Sequence, residues 1–378
     1  MKKTTPERAG GFGVLSAPNI LIKARCVRTR GVVARCAAAL LAAAAFIGPV
    51  GLARVAFAEP VPVRLAPSLE KGRVLTYKVE RSLRLEQRPP ADPRPLITVS
   101  RLEAVVRLEV GTVRADGTVE VGVGFESLTL QRDHAGEEMS FRHPAPAAPD
   151  PAPEPAPAPA PAPPPAEVEA EKPDGEAPGP TPYEFVGRAW VDARVRIVIN
   201  REGEVQSMLG VEQVLEALKV ADGAGGPGGG GLDEAELASL SPAGLGELLT
   251  PIFNPASPER PTRRFAPAET WLTQRTIDLA TLGSVVTTES WTRGPDDAPR
   301  VNAEATISAE ILPPRGIVTA APTLKLDASA GSASIVWESA AGNLNAFEHR
   351  LMLGFTITLG DLKLEQTQVA ATTITRRD

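Results

Sequence analysis

Three histidines, His134, His143 and His349, bound the imidazole chemistry open to this chain of 378 residues. His134 lies in Asp133-His134-Ala135-Gly136-Glu137-Glu138, donors that suit a surface divalent cation and equally suit a solvated acidic loop. We read the loop. His143 opens a proline tract, where exposure is expected. His349 stands between Glu348 and Arg350, where an ion-paired or solvent-facing ring is the expectation. Glu289 and Glu338 are a carboxylate pair of the kind a hydrolase brings together, but 46 acidic residues make such pairs common by chance. No Gly-x-Ser-x-Gly, His-Glu-x-x-His or Gly-x-x-x-x-Gly-Lys-Ser/Thr run occurs. The expectation is a protein that is not an enzyme, with no catalytic, cofactor-binding or metal-binding residue to name.

Four tryptophans, Trp190, Trp271, Trp291 and Trp337, sit in strand-like segments. Core packing accounts for them. A second account has some lining an apolar cavity between a curved sheet and helices.

The elements that would position these residues mostly repeat with period two. Leu75, Tyr77, Val79, Leu83 and Leu85 alternate, as do Leu102, Ala104, Val106, Leu108 and Val110. After Ala115-Asp116-Gly117 the pattern resumes at Val119, Val121, Val123 and Phe125, which predicts a hairpin. Val191–Ile199 reads as another strand. Further strands are expected over Trp271–Leu279, Ser284–Thr292, Val301–Leu312, Ser334–Trp337, Leu344–Leu351 and Phe355–Thr375, the last with a turn at Gly360-Asp361. One-sided alternation of this kind belongs to antiparallel sheets with one wet face.

Helical spacing is confined to 211–250. Val211, Val214, Leu215 and Leu218 form one stripe, Asp233 and Glu236 resemble a capping box, and Ser241-Pro242 starts a further helix. Between them Gly223–Gly231 holds seven glycines. A phosphate cradle would need a Lys-Ser/Thr sequel, and Leu232-Asp233-Glu234 follows instead, so the tract reads as a flexible connector.

The first 58 residues have the three parts of a secretory signal. Lys23, Arg25, Arg28, Arg30 and Arg35 precede the apolar run Ala37–Ile47, and Ala56-Phe57-Ala58 places cleavage before Glu59. A membrane anchor is the rival reading, but the run falls short of the roughly 20 residues that span a bilayer. Cys36 precedes the apolar run and follows Arg35, against lipid modification. Both cysteines lie in this leader, so residues 59–378 hold no disulfide or thiolate. They carry 31 basic and 45 acidic residues, a net charge of −14 that argues against binding nucleic acid or an anionic membrane. The expectation is an exported protein, periplasmic or extracellular, not lipid-anchored and with no transmembrane anchor after cleavage.

Pro144–Pro182 contains 16 of the 38 prolines and should be extended and disordered. A linker, a stalk and a loop insertion all fit it. A correspondence between Ile199-Asn200-Arg201-Glu202-Gly203 and Glu338-Ser339-Ala340-Ala341-Gly342 favours the insertion. Each run closes a strand with a polar turn ending on Gly, as if the protein had two similar halves. Residues 59–378 then form a single β-rich domain interrupted by 144–182 and by the helical segment 211–250 with its Gly-rich loop 223–231.

Lys71-Gly72-Arg73-Val74-Leu75-Thr76-Tyr77, Val110–Val121, Ile199–Val205, Glu269-Thr270-Trp271 and Ile335–Leu344 resemble a family of exported, β-rich bacterial proteins, often lipid-anchored, whose domain has no assigned function. The resemblance implies export and a β-rich unit, and carries over no functional residues. The fold expectation is mainly β within the α+β class: a large antiparallel sheet or partial barrel with a short helical insertion. The function expectation is a non-catalytic envelope or secreted protein that binds or scaffolds an unidentified protein or apolar ligand. The alternatives are a periplasmic carrier of a lipid or lipoprotein, and an exported hydrolase with an unrecognised carboxylate site.

Overall fold

The computed structural model describes residues 23–24, 62–65, 67–90, 94–144, 180–201, 203–223, 232, 234–255, 264–278, 283–295, 300–313 and 322–377. The cleavage residues Ala56, Ala58 and Glu59, the Pro-rich tract over 145–179 and most of the Gly-rich tract lie outside them. So does Asp233 of the expected capping box.

Two-residue strands β1 (Lys23–Ala24) and β2 (Val63–Arg64) precede the long strands β3 (Val74–Arg88), β4 (Leu96–Val113) and β5 (Val119–His134) and the shorter β6 (Glu137–His143). Helix α1 (Pro182–Asp192) leads into the hairpin β7 (Val195–Ile199) and β8 (Val205–Leu209). Then come α2 (Glu212–Gly223), α3 (Glu234–Leu240), α4 (Pro242–Phe253) and β9 (Arg264–Phe265). The chain closes with β10 (Thr270–Asp278), β11 (Ser284–Arg293), β12 (Arg300–Leu312), β13 (Thr323–Glu338), β14 (Asn343–Leu359) and β15 (Leu362–Arg377).

Thirteen of the strands form one open antiparallel sheet in the order β1-β10-β11-β12-β13-β14-β15-β3-β4-β5-β7-β8, with β6 added to β5. Strands β2 and β9 pair separately. The fold is the mainly β, antiparallel one that the alternation implies. Its seam is the pairing of the last strand with the first long one, from Glu365↔Arg88 to Arg377↔Thr76. The period-two pattern sets the faces: in β12, Val301, Ala303, Ala305 and Ile307 are buried while Asn302, Glu304, Thr306 and Ser308 are exposed.

Small residues let the sheet curve. Ala305, Ala333 and Gly331 occupy adjacent inner positions of β12 and β13. A Cβ on Gly331 would stand 2.8 Å from the Arg350 carbonyl oxygen and 2.9 Å from Ile307 Cβ. The inner face is concave there, and only glycine fits.

The helices fill one half of the concavity. Thr181 and Glu184 form a capping box, with the Thr181 amide donating to Glu184 at 2.7 Å, and Pro182 sits in the first turn. Tyr183, Val186, Gly187 and Trp190 form the buried stripe. This helix corrects the expectation that the proline tract runs to Pro182 and a strand begins at Val191; Trp190 is helical. Its signal, Thr181-Pro182 followed by Glu184, is present in the sequence but adjoins a run of prolines. Ser241 caps α4 as expected, accepting from the Gly244 amide at 3.1 Å. Leu245, Leu248, Leu249, Ile252 and Phe253 bury almost every side of that helix, which therefore sits inside the trough. Among the described residues, no helix is long and apolar enough to cross a membrane.

The stretches 334–337 and 344–351 extend into β13 and a β14 that continues to Leu359. The Gly360-Asp361 turn closes β14 onto β15, with Gly360 at φ +59°. The two compared turns both close hairpins through a left-handed glycine, Gly203 at φ +84° and Gly342 at φ +58°. Their strands differ: β7 and β8 have five residues each, β13 and β14 have 16 and 17.

Replacing Gly331 by alanine is expected to cost about 1–3 kcal/mol by overpacking against the Arg350 carbonyl and the Ile307 side chain. Gly124, whose Cβ would meet nothing within 4 Å, should accept alanine with almost no loss. Urea unfolding of the two variants checks the difference.

Candidate functional site

Between the sheet and the helices at Trp190 the packing is tight. Its apolar void, bordered by Leu102, Phe125, Trp190, Leu240 and Leu248, measures about 20 Å³, enough for one water. A buried ion pair fastens the helices: Arg132 Nε stands 2.9 Å from Glu236 Oε1, which also accepts from Tyr183 at 3.2 Å and Ser100 at 3.0 Å. Burial and the Glu236 carboxylate hold the Tyr183 phenol well above its ordinary range. Trp190 donates to the Leu240 carbonyl at 2.9 Å. The proposed cavity between sheet and helices is therefore packed shut, and its tryptophan is a core residue.

Beyond α4 the inner face changes character twice. A polar belt comes first. Glu289 on β11 is 2 % exposed, flanked in register by Thr273 on β10 and Ile307 on β12. Its Oε2 accepts from Thr273 Oγ1 at 2.8 Å and Trp291 Nε1 at 3.0 Å. Its Oε1 faces Arg275 Nε at 3.6 Å and His349 Nε2 at 3.4 Å. His349 lies on β14 and reaches this carboxylate across the small residues Ala333 and Ala305. Burial acts to raise the Glu289 carboxyl; the His349 ring, the Arg275 guanidinium and the Thr273 hydroxyl overcome that and hold it at about 2.

Arg81 on β3 occupies the same inner face, between Leu102 and Thr372 in register. Desolvation lowers its pKa, opposed by the charge of Glu247 on α4. Glu247, the exposed residue of an otherwise buried stretch of α4, is raised by desolvation against the pull of Arg81 and Arg275. Glu247 thus lies near enough to Arg81 on β3 and Arg275 on β10 for both charges to act on it.

An apolar strip lies past the belt. Val285, Leu353 and Phe355 are its buried centre, with Ile277, Ile311, Leu324, Leu326, Leu351 and Ile357 half-buried around it. All of its members come from strands. It is a cluster apart from the main core, which takes in the helices and the opposite ends of the same strands, and Leu351 packs against both.

The belt has the wrong order for hydrolysis. A nucleophilic relay places imidazole between hydroxyl and carboxylate. Here the carboxylate is in the middle, binding both Thr273 and His349, and a group held at about 2 is a poor base at neutral pH. Glu338 does not join it: that residue lies at the far end of β13 on the other face, 3.4 Å from Arg300. The suggested Glu289–Glu338 pair does not converge.

The remaining sequence candidates scatter. His134 shares a hydrogen bond of 2.8 Å with Thr98, and Asp133 accepts from the Gly136 amide at 3.0 Å, closing the β5–β6 turn. His143 borders a polar cleft of about 780 Å³ between β6 and α1, with Gln131, Glu138, Arg142 and Arg188. Trp271 stacks on Trp291 at 6.1 Å and on Phe265 at 4.2 Å, all three buried. Trp337 is fully buried. Arg81 stands out in the sequence as a polar residue in register within the apolar alternation of Leu75–Leu85, but with no role to give it; Arg275 and Thr273, in register with Trp271 and Ile277, were missed.

No family profile and no curated protein matches the chain. Among solved structures, one of lipovitellin titled for its lipid–protein interactions is 10 % identical with a TM-score of 0.36, over 82 % of this chain and 26 % of that one. This chain therefore spans about a quarter of that protein's length. OccK5 (OpdH) of Pseudomonas aeruginosa gives 7 % identity and a TM-score of 0.19, over 83 % of this chain and all of the other. An outer membrane channel of Pseudomonas putida F1 gives 7 % and 0.16, over 82 % and 98 %. Scores this low establish no shared fold.

The depressed Glu289 pKa has a stability consequence of definite sign. Its contribution is complete above the unfolded value near 4.5 and is lost as pH falls toward about 2. At neutral pH it amounts to roughly 3 kcal/mol. Glu289→Gln should therefore destabilise the protein strongly at pH 7 and much less at pH 3, as read by urea unfolding. An equal loss at both pH values would contradict the assignment.

Proposed function

We propose that this chain is a non-catalytic exported protein, periplasmic or secreted, that binds an apolar ligand along the concave face of its sheet. The observation that supports this reading is the strand-only apolar strip around Leu353 and Phe355, continuous with the inner face yet outside the helix-packed core. An antiparallel sheet with one wet face ordinarily alternates apolar and polar residues so that only one side needs covering. Here the inner side stays apolar where helices no longer pack on it. Its centre is buried by its own neighbours, and the half-buried rim of Ile277, Ile311, Leu324, Leu326 and Ile357 is the apolar surface left for a ligand. The polar belt at Glu289 supports binding over catalysis, since its carboxylate is taken up by Thr273, Trp291, Arg275 and His349 and no hydroxyl in it rests on an imidazole base. Export rests on the leader, and the resemblance to exported β-rich bacterial proteins agrees with it.

Two measurements test the proposal. Protein purified from cells expressing the full chain should begin at Glu59, and denaturing mass spectrometry should release copurified lipid from it. A fluorescent fatty acid should bind the delipidated protein, and Leu324→Gln with Ile357→Gln should weaken that uptake at least about tenfold while leaving the cooperative melt in place. An N-terminus at Met1 would overturn export by cleavage. A protein that neither carries lipid nor takes up the probe would overturn apolar binding.

A further inference from the structure

Three arginines reach the inner face at or near the edge of the helices, and two of them are already engaged. Arg132 is paired with Glu236 at 2.9 Å and Arg275 with Glu289 at 3.6 Å. Arg81 makes neither a hydrogen bond nor a close ion pair among the described residues; the charge acting on it is that of Glu247, across the trough on α4. A half-buried guanidinium in that state is costly unless an anion reaches it. Its neighbours make the space around it narrow: Thr372 lies beside it on β15, and Leu83 and Ala370 pair at the next inner position.

From that row the inner face leads straight into the apolar strip. On β14 the inner positions after His349 are Leu351, Leu353, Phe355 and Ile357, eight residues or about 26 Å of strand. One cation at the head of a long apolar path fits one anionic group on one chain. Arg275 is held by Glu289, which leaves Arg81 as the guanidinium of this row with no side-chain hydrogen bond among the described residues. A planar guanidinium matches a carboxylate in two parallel hydrogen bonds.

We infer that the ligand of the trough is a long-chain fatty acid, its carboxylate on Arg81 and its acyl chain along the half-buried Leu83, Leu351, Leu326 and Ile357. The inference rests on the apolar-binding reading above and adds the head group and its orientation. Glu247 is then the group that holds Arg81 when the trough is empty, and the carboxylate displaces it.

The test compares palmitate, hexadecanol and hexadecyl phosphate by calorimetry on delipidated protein purified from the full chain. Wild type should bind palmitate about tenfold or more tighter than hexadecanol. Arg81→Gln should lose that preference with hexadecanol affinity unchanged, which also shows that the variant is folded. Arg81→Lys should keep most of the preference. Glu247→Gln, on an exposed site, should tighten palmitate by about threefold and leave hexadecanol alone. Equal binding of acid and alcohol by wild type overturns the head-group assignment while the apolar reading stands. Tighter binding of the phosphate than of palmitate also overturns it. Binding of none of the three overturns the apolar reading beneath it. Should Arg81→Gln fail to fold, unchanged palmitate affinity in Glu247→Gln overturns the inference.

Discussion

A sheet twelve strands wide has to bury one of its faces, and the four short helices among the described residues cannot cover it. The hydrophobic gain from burying a Val, Leu or Phe side chain is about 1.5–3 kcal/mol, so leaving the inner face of six long strands wet would be a large loss. The chain meets this constraint by curvature. Gly331, Ala305 and Ala333 let β12 and β13 bend until inner side chains three strands apart, Val285 and Leu353, share one cluster. Helices pack on the other half, where the apolar void beside Trp190 and Leu248 measures only about 20 Å³. The two solutions meet at the polar belt.

That belt is where packing and function part. Hydrogen bonds to Glu289 from Thr273 and Trp291, with Arg275 and His349 beside it, make a buried carboxylate tolerable between two apolar regions. Arg132, Glu236 and Tyr183 play the structural half of this arrangement, tying α1 and α3 to β4 and β5. Arg81 belongs to neither network.

Much of the architecture was legible before the structure. Alternation located the long strands, the Ala115-Asp116-Gly117 hairpin and the Gly360-Asp361 turn, because period two and turn glycines are local properties. Helix α1 was hidden because Thr181-Pro182 abuts a proline run, and a tract rule outweighed a capping rule. The belt was hidden for a different reason. Glu289 and His349 are 60 residues apart in sequence and two intervening strands apart in the sheet, and only the register of β11 through β14 brings them together. Arg81 was visible as a polar residue in an apolar stripe. Its partnerless state depends on which side chains of β15, β4 and α4 surround it, which no single sequence states.

The central claim is that the apolar strip of β11–β14, and not the helix-packed half, receives the ligand. Photocrosslinking with a fatty acid carrying a diazirine near the end of its chain, followed by peptide mass spectrometry, tests it most directly. The account predicts adducts on residues 324–326 and 351–357. Adducts confined to α2–α4 or to the strands beneath them, around Phe125 and Trp190, would contradict it.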